Sequence, residues 1–319
     1  MRKIAVLTSG GDAPGMNAAI RAVVRTAIYY NIEVAGVERG YAGLIEGAFQ
    51  EMDLGSVADI IQRGGTVLHT ARSKEFMEPE GRKKALQNMR DHNIEGLVVI
   101  GGDGSFRGAV ELHKMGLPVI GVPGTIDNDI HGSELTIGFD TAVNTVVEAI
   151  NRIRDTATSH ERIFLVEVMG RNSGWIALES GLAGGAESIL VPEIKPDYNE
   201  VVDKLKRGLT RGKRHSIIIV AEGVESAYKV SAEIKKRIGL DTRVTVLGHI
   251  QRGGTPTAVD RIIASKMGGL AVQLLMQGKS NLMTGVVGNE MVTVSLEEAV
   301  GTKKSLDLEV YRLAGILSI

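Results

Sequence analysis

Two stretches decide the fold: IAVLTSGGDAPGMNAAI at residues 4–20 and LVVIGGDGSFRG at residues 97–108. Each starts as a short aliphatic run, breaks on paired glycines, and continues with helical spacing. An apolar run without polar alternation reads as a strand covered on both faces. A strand that turns through glycine into a helix is half of a βαβ unit. Similar runs recur at residues 119–122, 163–168, 189–191, 217–220 and 244–247, all expected to be buried on both faces. Helical spacing fills residues 16–30, 141–157, 199–211 and 257–277. The expected class is α/β, with mostly parallel sheets flanked by helices and ligands beyond the carboxyl ends of the strands. Residues 285–296 read as a hairpin about Gly288 and Asn289, and 306–317 as a final helix. No repeat or Pro/Ser-rich linker marks a domain border.

Composition narrows the function. The 319 residues suggest two domains or one large one. Lys and Arg number 37 against 38 Asp and Glu, so the basic excess of a general nucleic-acid binder is missing. There are no cysteines, which excludes disulfides, thiolate metal sites and a cysteine nucleophile. The start, MRKIAVLTSGGD, is too short in its apolar part for a secretory segment. No run reaches the ~18 apolar residues of a membrane span. No membrane and no nucleic acid are therefore expected as partners, and the expected location is cytoplasmic. Glycine is abundant, 40 residues, and it clusters after apolar runs, where backbone approaches something closely.

Four motifs carry chemistry. TSGGDAPGMNAAI, residues 8–20, places glycines before a helix N-terminus, as in a phosphate-binding loop. A plain tight βα turn has the same pattern. VVIGGDGSFRG, residues 98–108, has the spacing GxGxxxG, one residue off the dinucleotide fingerprint. Its Asp103 is either a helix cap or a group that meets phosphate through a bridging Mg²⁺. GVPGTIDNDIHG, residues 121–132, offers Asp127 and Asp129 with Thr125 nearby. Two carboxylates can divide proton acceptance and metal holding in phosphoryl transfer, or can simply stabilise an Asx-rich turn. Arg72, Arg162, Arg171, Arg243 and Arg252 stand near strand ends or Gly-rich bends, where Arg suits phosphate. QLLMQGKS at 273–280 mimics the end of a Walker loop, but it closes a helix instead of opening one. The seven histidines form no HExxH pair, and there is no G-x-S-x-G elbow. These residues alone describe a Mg²⁺-dependent enzyme acting on phosphates, without naming the acceptor.

TSGGDAPGMN, IGGDGS, PGTIDND, MGRNSG, AEG and GHIQRGG resemble, in this order and over essentially the whole chain, the bacterial ATP-dependent 6-phosphofructokinase family. The resemblance implies two similar α/β domains with the active site in the cleft. It divides the chain into residues 1–138 plus 251–301 for the nucleotide and 139–250 plus 302–319 for the sugar phosphate. It implies transfer of the γ-phosphate of ATP to the 1-hydroxyl of fructose 6-phosphate, with Mg²⁺, in a homotetramer. By the same resemblance Gly11, Tyr41, Arg72, Ser73, Gly102, Asp103, Gly104, Ser105 and Gly108 would bind ATP. Asp103 would hold the metal, with Asp129 assisting. Asp127 would be the general base, with Thr125 beside it, and Arg72 and Arg171 would stabilise the moving phosphoryl group. Thr125, Ile126, Asp127, Met169, Gly170, Arg171, Glu222, His249, Ile250, Gln251 and Arg252 would hold the sugar phosphate, while Arg162 and Arg243 would reach it from a neighbouring subunit. An effector site for ADP or phosphoenolpyruvate would use Arg21, Arg25, Asp59, Arg154, Gly185, Ala186, Glu187, Arg211, Lys213, Arg214 and His215.

Three positions depart from the family pattern. Leu54 replaces an effector-site arginine of some members, Trp175 replaces a common Asp, and His69 replaces a common Tyr. A lone Trp reads first as a packing residue. Three rivals follow from the motifs. The pyrophosphate-dependent relatives carry Asp at the place of Gly104 and Lys at that of Gly124. NAD and lipid kinases share GGDG but lack GHIQRGG and PGTIDND. A catalytically inactive sugar-phosphate sensor would bind both ligands without turnover.

Overall fold

A computed structural model describes residues 1–318 and divides the chain into two units. The first holds Met1–Ile126, Ile130–Thr141 and Arg252–Lys304. The second holds Asp127–Asp129, Ala142–Gln251 and the segment from Ser305 on. Ile319, the last residue expected in the second domain, lies outside the described residues.

In the first unit β1 (Lys3–Ser9) leads to α1 (Met16–Tyr29), β2 (Glu33–Val37), α2 (Tyr41–Glu46), β3 (Phe49–Met52), α3 (Pro79–Asp91), β4 (Gly96–Gly101), α4 (Asp103–Lys114) and β5 (Val119–Pro123). α5 (Phe139–His160) carries the chain into the second unit. There follow β6 (Ile163–Val168), α6 (Trp175–Ala183), β7 (Ser188–Leu190), α7 (Tyr198–Thr210), β8 (Ser216–Ala221), α8 (Ala227–Ile238) and β9 (Thr242–Val246). The first unit resumes with α9 (Ala258–Met276), β10 (Leu282–Val287), β11 (Glu290–Ser295) and α10 (Leu296–Gly301), and α11 (Leu308–Leu317) belongs to the second.

The first unit's sheet runs β11-β10-β5-β4-β1-β2-β3. Its interior is parallel, and antiparallel pairs occur only at β2–β3 and β10–β11. β1 and β4 are buried along almost their whole length, as their unbroken aliphatic runs require. Leu7, Val99, Phe106 and Leu112 form part of the core between sheet and helices. From β1 the chain turns to β2 on one side, and later occupies β4 on the other. β1 and β4 thus flank a topological switch point, with Ser9 opposite Gly101 in register.

The second unit's sheet is entirely parallel, in the order β7-β8-β6-β9. Ile163, Leu165, Ile218 and Val220 anchor its core. One expectation fails here. β9 was expected to be covered on both faces, but it is one of the two outer strands, and unlike buried β7 at the other edge it leaves Arg243 and Val246 exposed. Its β-branched run reflects strand propensity and not two-sided burial. The expected hairpin is β10–β11 about Gly288 and Asn289, and the final helix is α11. The Walker mimic ends α9, with Gly278 left-handed just beyond it. Among the described residues no helix is long and apolar enough to cross a membrane.

Candidate active site

The switch point sets two glycine loops side by side. After β1 the chain passes Gly10 and Gly11 and enters α1 through Gly15, whose φ of 102° is a left-handed conformation that glycine adopts without strain. After β4, Gly102 caps α4 and Asp103 is its first residue. A Cβ on Gly11 would run into the guanidinium of Arg252, whose Nη1 donates to the Asp12 carbonyl at 3.3 Å. Arg252 therefore stands over the first loop. Gly102 lies beside Thr125, and nothing stands within 4 Å of the place where a Cβ on Gly104 would project. The second loop thus offers backbone and empty space at the head of a helix, as anion binding requires.

Tyr41 and Gly108 have a packing role in this unit. The Tyr41 ring stacks on Phe76 with centroids 4.0 Å apart, and its hydroxyl donates to the Ser105 carbonyl at 2.5 Å. Burial pushes the Tyr41 pKa up, so the phenol stays neutral. A side chain at Gly108 would collide with the Tyr41 and Phe76 rings. Arg72 is exposed, and the Ser73 hydroxyl accepts from the Phe76 amide at 3.2 Å.

The segment leading to Arg72 is tied back by polar groups that periodicity does not reveal. Buried Asn17 donates to the carbonyls of Arg63 and Gly64 and accepts from the Val67 amide at 2.8 Å. Thr8 donates to the His69 carbonyl at 2.9 Å, and Thr70 donates to the Gly10 carbonyl at 2.8 Å. His69 itself is left-handed, at φ 57°. Nothing in the structure explains Leu54, which is exposed.

Asp103 faces solvent and is gripped by Arg107, one turn later on α4. Among the described residues no group of three or more His, Asp or Glu side chains is placed to hold a metal ion. A cation on Asp103 would complete its shell with water and ligand oxygens, which is the habit of Mg²⁺ and its phosphate complexes. The open space at Gly104 accommodates such a complex.

The second unit assembles the acid–base and sugar-side candidates. Asp127 is 2% exposed, and its Oδ2 lies 3.4 Å from Arg171 Nε. The Ser173 hydroxyl donates to the Asp127 carbonyl at 3.1 Å. Asn128 and Arg171 are both left-handed, at φ 50° and 52°, which marks tightly determined backbone on each side of the pair. Glu222, at the end of β8, accepts from the amides of Gly170 and Arg171 at 3.2 and 2.8 Å. Buried Gln251 accepts from the Met169 amide at 3.1 Å and donates to the Gly248 carbonyl at 3.0 Å. Thus the loops after β6, β8 and β9 interlock at the carboxyl edge of the sheet. Asp129 is half-buried, Ile126 and Met169 are buried, and His249 and Ile250 are exposed.

Arg162 and Arg243 are not part of this cluster. Arg162 precedes β6, and Arg243 lies near the start of β9, where it pairs with Asp241 at 3.0 Å. The register sets Phe164 against Arg243, so both arginines belong to the amino edge of the sheet, roughly 20 Å of strand away from Arg171.

That amino edge also carries most of the expected effector residues of this unit. Arg154 donates to the carbonyls of Gly184 and Gly185. Buried Glu187 pairs with Lys213 and accepts from the Ile217 amide at 2.5 Å. Arg214 pairs with Glu161 at 3.1 Å, Arg211 is exposed, and His215 is half-buried. Beside Glu187 a cavity of about 460 Å³ opens between β7, α7 and α11. Arg21 and Arg25, one turn apart on α1, and exposed Asp59 belong to the first unit.

Comparison with known proteins matches residues 3–275 to the phosphofructokinase family model. Two bacterial relatives, from Halothermothrix orenii and Brevibacillus brevis, are each 60% identical over the full length of both chains. Both are named ATP-dependent 6-phosphofructokinase. Among solved structures, phosphofructokinase from Saccharomyces cerevisiae superposes with a TM-score of 0.89 at 38% identity, covering 100% of this chain and 48% of that one.

Proposed function

The chain belongs to the phosphofructokinase family, and on that premise we propose that it transfers the γ-phosphate of ATP to the 1-hydroxyl of fructose 6-phosphate. The observation that carries the chemistry is the buried Asp127 carboxylate, with Arg171 at 3.4 Å and its backbone fixed by Ser173. A carboxylate so placed accepts the hydroxyl proton as the sugar oxygen attacks phosphorus. Arg171, exposed on its outer face, offsets charge on the phosphoryl group in transit, together with Arg72. Thr125 stands beside Asp127 in the chain. Mg²⁺, with Asp103 as its protein ligand and Asp129 assisting, would neutralise the β- and γ-phosphates and orient them.

The donor nucleotide belongs to the glycine loops of the first unit, through Gly11, Gly102, Gly104 and Ser105, with Tyr41 and Gly108 shaping the loop from behind. The sugar phosphate belongs to Met169, Gly170, Arg171, Glu222, His249, Ile250, Gln251 and Arg252. ATP is favoured over pyrophosphate as donor because the open position beyond Gly104 leaves room for the rest of a nucleotide, which an aspartate would fill and repel. Arg162 and Arg243 bind the 6-phosphate of the sugar held by a neighbouring subunit. Their place at the sheet edge opposite Arg171 supports that assignment and, with it, a homotetramer. The clustered Arg154, Gly185, Glu187 and Lys213, with Arg21 and Arg25, form the effector site for ADP or phosphoenolpyruvate. The enzyme works in the cytoplasm.

Asp127→Ser tests the assignment. Turnover falls by roughly 10²–10⁴ while the Michaelis constants for both substrates stay within a few-fold. Turnover surviving within a few-fold would give the role of base to another group.

A further inference from the structure

We propose that Arg107 is a specificity residue: a tethered counter-ion that keeps free divalent cations off Asp103, so that the metal enters only with a polyphosphate. The proposal rests on the assignment of Asp103 as the metal-holding residue. Arg107 donates Nε to Asp103 Oδ2 at 3.0 Å and Nη2 to Oδ1 at 3.1 Å. One guanidinium thus engages both carboxylate oxygens, the strong bidentate geometry. The same Nη2 donates to the Val300 carbonyl of α10 at 3.0 Å. This third bond comes from a different element, and it fixes the fork over Asp103 where an ordinary helix-surface pair would sample many rotamers.

The consequence is an exchange rule. A free divalent cation approaching Asp103 meets a carboxylate whose charge is already neutralised, and it offers Arg107 no anion in return. A metal–polyphosphate complex brings both partners. Asp103 turns to the metal, and Arg107 turns to a phosphate oxygen, another bidentate acceptor that suits guanidinium. The side chains are accessible for this exchange, Asp103 being 43% and Arg107 61% exposed. Gly104 places no atom in the way. One full charge near 4 Å, at a dielectric close to that of water, changes the affinity for a divalent cation by roughly ten- to thirtyfold, the lower figure with ordinary salt screening.

The test is a titration with Mn²⁺ alone, following the free aquo ion by electron paramagnetic resonance, on nucleotide-free wild type, Arg107→Met, Asp103→Asn and the double variant. Arg107→Met is expected to bind Mn²⁺ roughly ten- to thirtyfold more tightly than wild type, with the gain abolished in the double variant. Added ATP should reverse the order, so that Mn·ATP binds the wild type more tightly than Arg107→Met. Equal Mn²⁺ binding by wild type and Arg107→Met, no detectable binding by either, or a gain that survives Asp103→Asn would overturn the gate. Asp103→Asn also separates the two levels. If it keeps full ATP-dependent kinase activity, the metal assignment itself falls. If it is inactive while wild type and Arg107→Met bind Mn²⁺ equally, only the gate falls.

Discussion

Asp127 shows how a single residue acquires a role from its surroundings. An isolated IDND tetrapeptide is compatible with a self-satisfied turn. In the folded chain the same carboxylate is buried against Arg171, beside a backbone that two left-handed residues hold in place. The motif spacing made the residue type legible, but not this restraint, because backbone dihedrals leave no mark in a hydrophobic pattern. The roles of Asn17 and Arg107 are not legible in the sequence for a related reason. Each lies on a helix that reads correctly, and each acts through a polar contact made far along the chain, at Val67 and Val300. Gly104 supplies the residue-scale prediction. Its Cβ direction is empty, so Gly104→Asp should fold normally and place a charge beside the nucleotide phosphates. The ATP Michaelis constant should rise roughly tenfold or more. An unchanged constant in steady-state assays would refute the donor argument.

At the scale of elements, the glycine-broken strand–helix units were legible because burial on both faces forces an unbroken aliphatic run. β1 with α1 and β4 with α4 follow that rule. β9 does not, since the same residue types also suit an outer strand, and a single run does not tell how many neighbours it has. The joint between α5 and α9 was also hidden. Fully buried Asp260 caps the start of α5 by accepting from the amides of Gly138 and Thr141 at 2.8 Å, and from the Thr141 hydroxyl at 2.5 Å. Burial raises its pKa from 3.8 to about 6 despite those donors. The folded state therefore holds the proton more tightly than the unfolded state. Stability from this group is complete below pH ~4 and is lost as pH rises through ~6, by about 3 kcal/mol. Denaturant titrations of wild type and Asp260→Asn between pH 4 and 7 should show the wild type losing that advantage as pH rises. A pH-independent difference would contradict it.

At the scale of the molecule, the second unit presents two separate edges. The carboxyl edge carries Arg171 and Glu222, and the amino edge carries Arg162 and Arg243. A pattern of arginines near strand ends did not tell which end each served; the register does. Arg162→Ser should raise the Michaelis constant for fructose 6-phosphate by roughly 10–100-fold, the cost of one charge-assisted phosphate contact, with turnover little changed. If the arginine serves a neighbouring subunit, reassembled mixtures of Arg162→Ser and Asp127→Ser chains will contain intact sites. At low fructose 6-phosphate their activity should exceed the sum of the two parents. No recovery would place Arg162 with its own chain's Asp127.

The most direct test of the central claim is an initial-rate assay of the purified protein with fructose 6-phosphate, Mg²⁺ and either ATP or pyrophosphate, following fructose 1,6-bisphosphate through coupling enzymes. Rapid product formation with ATP and none with pyrophosphate is the predicted result. Formation with pyrophosphate alone would contradict the donor, and silence with both would contradict the reaction itself.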